Sequence, residues 1–359
     1  MDWSIRTWTA VYTGDKVWFS NYSYNGLFCM NSKDFTIEFI DFFPDEKIDV
    51  VCCHRRALSY NDLIIFSPWH GHNLHIYSTT TNKFVTIPVK KKISESVADM
   101  FIIGDKLYVF RYDITLPIMI VDLITFEVME DSSFNEECKK EGITSGLSSE
   151  NVIYRDGKAW FVIREREDLY SWDIQEKKLD IYTVPGKHLN AFPAYDMFLI
   201  EDLNEKNLIK WDFHNAKPYP VVGCDIKFSS ILQVPYYNIV EFEGDIYAFP
   251  GYSAFILKGD GEKFVKWTDF DFEIKPSINP LFNKYLVVDD TLWMLSFESD
   301  ILLRFDKNMK LIDKRRLYIT DTQAINTLWN ALKDTGRIFK EGESVSFEGY
   351  LELVKSGIR

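Results

Sequence analysis

The chain has 359 residues, of which 46% are apolar, 26% charged and 16% aromatic, a composition that excludes an intrinsically disordered chain. Its formal net charge of −13 argues against a nucleic-acid binder, because phosphate contacts need Lys and Arg. No apolar run approaches the roughly 18 residues of a membrane span, so no membrane partner is expected.

The first residues, Met1-Asp2-Trp3-Ser4-Ile5-Arg6, show no basic stretch followed by an apolar one, so no secretory signal is read. The five cysteines, Cys29, Cys52, Cys53, Cys138 and Cys224, are an odd number. Reduced thiols in a cytoplasmic protein are the expectation. Cys52-Cys53 is too closely spaced for a zinc pair and reads as two small apolar residues on a strand.

One pattern then recurs in chain order. A turn containing Gly or an acidic residue precedes an apolar block whose second residue is usually aromatic. The second positions are Trp18, Ile64, Tyr108, Trp160, Phe198, Tyr247 and Trp293, six of the seven aromatic, at spacings of 38 to 52 residues. Gly14-Asp15, Gly104-Asp105, Asp156-Gly157 and Glu243-Gly244 are hairpin turn residues, since Gly, Asn and Asp tolerate positive φ. A further strand ends at Tyr77-Ser78, Val121-Asp122, Trp172-Asp173, Trp211-Asp212 and Phe305-Asp306, where the polar side chain can start an Asx-type turn. Apolar stretches before and after complete four short strands per unit.

Units of about 40 to 50 residues with four strands each predict an all-β fold, a β-propeller of seven blades, with six as the alternative. Stacking the sheets buries both faces, and the aromatic second position fills the layer between blades. A pair of β-sandwiches is the competing architecture, but it does not require the repeated aromatic. The rhythm of Gly-Asp turn, aromatic strand and Asp turn resembles the kelch-like group, without its double glycine. The resemblance covers about residues 8–320 and implies architecture, not activity.

Residues 1–320 are therefore assigned to the propeller and 321–359 to a helical tail packed on it. Ile325, Leu328, Trp329 and Leu332 lie on one helical face, and Phe347, Tyr350, Leu351 and Val354 repeat the spacing. The polar stretch 131–150 reads as a solvated loop.

In a propeller the loops between second and third strands gather on one face, where a rigid scaffold positions binding residues. The candidates there are Tyr22, Tyr24, Trp69, His70, His72, Arg111, Tyr112, Arg164, Glu165 and Tyr252. Aromatics beside charges suit a peptide or a sugar. Trp69-His70-Gly71-His72-Asn73-Leu74-His75 holds three of the six histidines. Two imidazoles with a distant carboxylate could hold a metal, but no carboxylate stands at a fixed spacing, so neither metal nor cofactor is assigned. Asp113, Glu165, Glu167, Glu201, Asp202, Glu298 and Asp300 are too many carboxylates to single out a glycosidase pair. No nucleophile elbow, zinc-protease, phosphate-loop or dinucleotide motif is present. The first expectation is a non-enzymatic module that binds a protein or peptide. The alternatives are a carbohydrate-active hydrolase or lyase using His70, Arg111, Tyr112 and a carboxylate, and a sensor centred on His70 and His72.

Overall fold

The computed structural model describes residues 3–90, 97–144, 146–147, 152–163, 166–194, 197–202, 207–212, 215–223, 236–250, 256–267, 284–296 and 299–335. The strands form seven antiparallel sheets of four consecutive strands each, the blades of a seven-bladed β-propeller. Blades 1 to 7 span residues 7–41, 54–88, 97–131, 153–183, 188–220, 236–267 and 284–316. Blade 5 is complete, with its first strand at His188–Ala194, so seven blades and not six are present.

Local chemistry explains the repetition. In every blade a two-residue hairpin joins the first strand to the second, with closing pairs such as Thr13↔Lys16, Tyr60↔Leu63 and Val288↔Thr291. Asp156 and Gly157 have φ of 50° and 78°, and Glu243 and Gly244 have 51° and 86°, the double positive φ whose twist matches the strands it joins. The turn between third and fourth strands is held by a side chain. Asp122 Oδ1 accepts from the backbone N–H of Ile124 and Thr125, Asp173 Oδ1 from Gln175 and Glu176, and Asp306 Oδ1 from Asn308 and Lys310. Asn31 does the same for Lys33, and Ser78 for Thr81.

The hairpin register corrects the aromatic repeat in two blades. The residue two positions into the second strand is Trp18, Tyr108, Trp160, Tyr247 and Trp293 in blades 1, 3, 4, 6 and 7. In blades 2 and 5 it is Ile65 and Leu199, one residue beyond Ile64 and Phe198. A shift of one residue moves a side chain to the other face of a strand. Ile64 accordingly meets Trp18 from the facing blade, and Phe198 meets Trp160. Such rings bury roughly 150–250 Å² each, or roughly 4–6 kcal/mol against water.

The chain divides into two compact units, Met1–Lys90 with Leu281–Arg359, and Lys91–Pro280. In the first, one cluster joins Trp18, Leu27 and Cys29 of blade 1 to Ala57, Ile64 and Phe66 of blade 2. Another joins Trp293 and Leu302 of blade 7 to Phe19 and Phe28 of blade 1. That cluster also takes Ile325, Leu328, Trp329 and Leu332 from helix α2 (Thr322–Leu332), the predicted apolar face. Asp321 caps α2 by accepting from Ala324 N–H. The second tail helix, around Phe347, lies outside the described residues. A two-stranded sheet pairs Trp3 with Ile319 and Ser4 with Tyr318, tying residues 3–4 to the segment after blade 7.

In the second unit, separate apolar clusters lie between blades 3 and 4, 4 and 5, and 5 and 6. The stretch expected to be a solvated loop contains helix α1 (Ser133–Lys140). Phe134 and Cys138, four residues apart on one face, are buried against Phe110, Phe161 and Trp172. Among the described residues no helix is long and apolar enough to cross a membrane.

Candidate functional site

The candidate loops begin where each second strand ends. Asn21, Pro68 and Arg111 close equivalent pairs with Thr7, His54 and Val97, and in all three blades a bulge in the first strand follows that pair. Tyr22, Trp69 and Tyr112, three residues singled out from sequence, therefore occupy one repeating position. The bulge adds an extra residue to the first strand opposite it: Trp8, Arg55 and Ala98. A bulge re-aims the side chain it carries. Trp8 stacks on Tyr22 with centroids 5.7 Å apart and planes at 26°. The Arg55 guanidinium lies 4.1 Å from the centroid of Trp69. Ala98 is too small to cover a ring, and Gly146 packs against Tyr112 instead. Trp8, Tyr22 and Trp69 are all half-buried, each with part of its surface in solvent.

The vicinal cysteines stitch the platforms of blades 1 and 2 together. Cys52 N–H donates to the Tyr22 carbonyl at 2.6 Å. Trp69 N–H donates to the Cys53 carbonyl at 2.8 Å, and His70 N–H to the Cys52 carbonyl at 3.2 Å. Cys52 and Cys53 are thus in a turn, not on a strand, and Cys52 has φ of 50°. Both side chains are buried, and burial pushes the Cys52 thiol far up. Gly71 is required here by contact: a Cβ would stand 2.9 Å from both the carbonyl oxygen and Sγ of Cys53.

Glu46, from the connection between blades 1 and 2, clamps the histidine loop. Its Oε1 accepts from His72 N–H at 2.6 Å and from Asn73 N–H and Nδ2 at 2.8 Å each. His70 Nδ1–H donates to the Val51 carbonyl at 2.9 Å. The rings of His70 and His72 are exposed.

Beneath the loops lies a buried polar chain. Ser20 Oγ is 2.9 Å from His54 Nδ1, His54 Nε2 is 2.8 Å from His75 Nδ1, and His75 Nε2 is 2.9 Å from the Pro44 carbonyl. The carbonyl only accepts, so His75 donates from Nε2 and accepts at Nδ1. His54 then donates from Nε2 and accepts at Nδ1, and the Ser20 hydroxyl donates to it. The chain has one direction and neutral rings. Burial pushes the His54 imidazole well below its ordinary range, with neighbouring His75 adding to the effect. Burial lowers His75 too, opposed by the Pro44 carbonyl and by Glu46 and Asp45.

The remaining candidates fall elsewhere. Tyr24 is fully buried, and its hydroxyl accepts from Trp3 Nε1–H at 2.8 Å. Arg111 is also buried, and its guanidinium pairs with Glu130 at 2.8 Å across its own blade. Asp113 caps its own loop through Thr115, and Asp300 pairs with Arg316 and Ser4. Arg164, Glu165 and Tyr252 lie outside the described residues. Among the described residues no three His, Cys, Asp or Glu side chains are grouped to hold a metal ion. Trp8, Arg55, Glu46, His54 and Phe43 were not picked out from sequence. The first two are the second residues of the strands Thr7–Thr13 and His54–Tyr60. A separate cavity of about 550 Å³ lies by Phe35, Arg315, Arg316 and Tyr318. Its two guanidiniums are already paired with Asp313 and Asp300.

No protein-family model matches the chain, and no curated protein sequence matches it. Solved structures are similar in fold. A streptogramin B lyase structure aligns with a TM-score of 0.57 at 11% identity, covering 82% of this chain and 90% of that one. Hsv2 of Kluyveromyces lactis aligns with a TM-score of 0.54 at 9% identity, covering 88% and 100%. The computationally designed Ika8 protein aligns with a TM-score of 0.55 at 6% identity, covering 87% of each chain.

Proposed function

We propose that the protein is a non-enzymatic binding module that takes a peptide segment of a partner protein on the loops of blades 1 and 2. The observation that carries this reading is the pair of platforms, Trp8 on Tyr22 and Arg55 on Trp69, fixed by bulges and bridged by the Cys52-Cys53 turn. Rings held from one side lose little freedom when a ligand covers the other, which is how aromatic anchors concentrate binding energy. An extended peptide meets such a surface with alternate side chains. The four described thiols form no disulfide, in keeping with a cytoplasmic location. The kelch-like rhythm adds nothing to the choice of ligand.

The carbohydrate-active alternative, with His70, Arg111, Tyr112 and a carboxylate, has less support, because Arg111 is buried and paired with Glu130 and Asp113 accepts within its own loop. The test is selection of a displayed random peptide library on the full chain. Peptides retained by the wild type and lost from a Tyr22→Ala, Trp69→Ala double variant with an unchanged circular dichroism spectrum are expected. Retention by both forms, or no enrichment, would overturn the reading, and turnover of a sugar substrate would then favour the alternative.

A further inference from the structure

The loops of the proposed site rest on a buried histidine pair in which another proton would leave a charge in an apolar site. His75 Nδ1 already accepts from His54, so a proton there is met only if His54 carries its own proton on Nδ1 and the Ser20 hydroxyl turns to accept it. His54 Nδ1 accepts from Ser20, whose hydroxyl can turn, but the resulting cation would sit fully buried against Phe43 and Phe66. The titratable and charged groups facing the pair are few. Cys53 Sγ is 3.7 Å from His54 Nε2. Asp45 and Glu46, on the connection between the blades, favour a charge on His75. Phe84 completes the wall beside His75.

The same connection carries the clamp on the site. His75 holds the Pro44 carbonyl, and Phe43 packs 4.1 Å from the His54 ring centroid and 5.1 Å from that of His75. Asn25 fixes Phe43 from both sides, accepting from its N–H and donating to its carbonyl. Two residues beyond Pro44, Glu46 binds the backbone of His72 and Asn73. A proton taken up by the pair leaves an imidazolium walled by Phe43, Phe66 and Phe84, even with its hydrogen bonds kept. Moving the ring to water relieves that charge, and the Pro44 carbonyl, with the connection that carries Glu46, then loses its anchor.

We propose that the Ser20–His54–His75–Pro44 chain is an acid-released latch that holds the 43–46 connection, and through Glu46 the His70–Asn73 loop, in binding-competent form at neutral pH. As regulation of the binding face, the latch rests on the reading given above. At about pH 5 an opened His54 of ordinary pKa favours opening about 30-fold, and the lowered His75 acts in the same direction.

The test is amide hydrogen exchange of the full chain at about pH 7.5 and about pH 5, corrected for the intrinsic pH dependence of exchange. Phe43, Trp69, Gly71, His72 and Asn73 report on the latch, and Lys158–Val162 of blade 4 is the reference. Opening of the reporters is expected to rise at least about 30-fold more than that of the reference. An equal change in both would overturn the latch. In His75→Gln the pH response is expected to shrink, and an undiminished response would overturn the assignment; the wild-type comparison decides even if that variant does not fold. The two readings separate cleanly. A pH-dependent opening without any selected peptide supports the latch and removes the binding role. A selected peptide with equal protection at both pH values removes the latch alone.

Discussion

Replacing Glu46 tests whether the histidine loop is built into the scaffold or merely lies on it. One oxygen accepts three hydrogen bonds, two from backbone N–H groups of His72 and Asn73 and one from Asn73 Nδ2. Hydrogen bonds to a charged acceptor contribute about 1.5–3 kcal/mol each, but three on one atom do not add. Glu46 is half-buried, so water replaces part of what is lost. Glu46→Ala is therefore expected to cost about 2–3 kcal/mol, and Glu46→Gln, which keeps an acceptor without its charge, about 1 kcal/mol. Urea unfolding followed by circular dichroism gives both values, and amide exchange at Asn73 should rise with the loss. An alanine variant within about 0.5 kcal/mol of wild type, with Asn73 still protected, would refute the clamp.

Three further outcomes follow from the same structure. The depressed His54 and His75 pKa values mean that the unfolded chain binds more protons than the folded one. Stability is then full above about pH 6.5 and falls by about 1.4 kcal/mol per pH unit for each histidine as pH drops below it, as urea midpoints at several pH values will show. Trp18→Ala and Trp293→Ala each empty a buried site between blades and should cost about 3–5 kcal/mol by the same assay. Burial pushes the Cys29 and Cys138 thiols up to about 12 and Cys52 higher still, so the four described cysteines should resist Ellman's reagent until the chain unfolds.

The blades were legible because their turns are local chemistry. Asp122, Asp173 and Asp306 bond their own turns whatever surrounds them, and Asp156-Gly157 sets its hairpin alone. The face of a strand was harder to read where both sides are buried. Leu63-Ile64-Ile65-Phe66 is apolar throughout, so alternation is silent and the register slipped by one. Helix α1 hid because only Phe134 and Cys138 of its polar sequence are buried.

Of the candidate site, Tyr22, Trp69 and Tyr112 were legible because they follow the repeat. Trp8 and Arg55 were not, since a bulge depends on the register of two strands at once. His54 and His75 are 21 residues apart on different strands, and nothing local signals that their nitrogens meet.

The most direct test of the binding role is a calorimetric titration of the strongest selected peptide into the full chain and three variants. Loss of an aromatic anchor typically costs about 2 kcal/mol or more, roughly thirtyfold in Kd. That weakening is predicted for Trp69→Ala and Tyr22→Ala, with none for Tyr219→Ala on the exposed fourth strand of blade 5. Equal affinity in all four proteins, or a loss confined to Tyr219→Ala, would contradict the assignment of the binding face to blades 1 and 2.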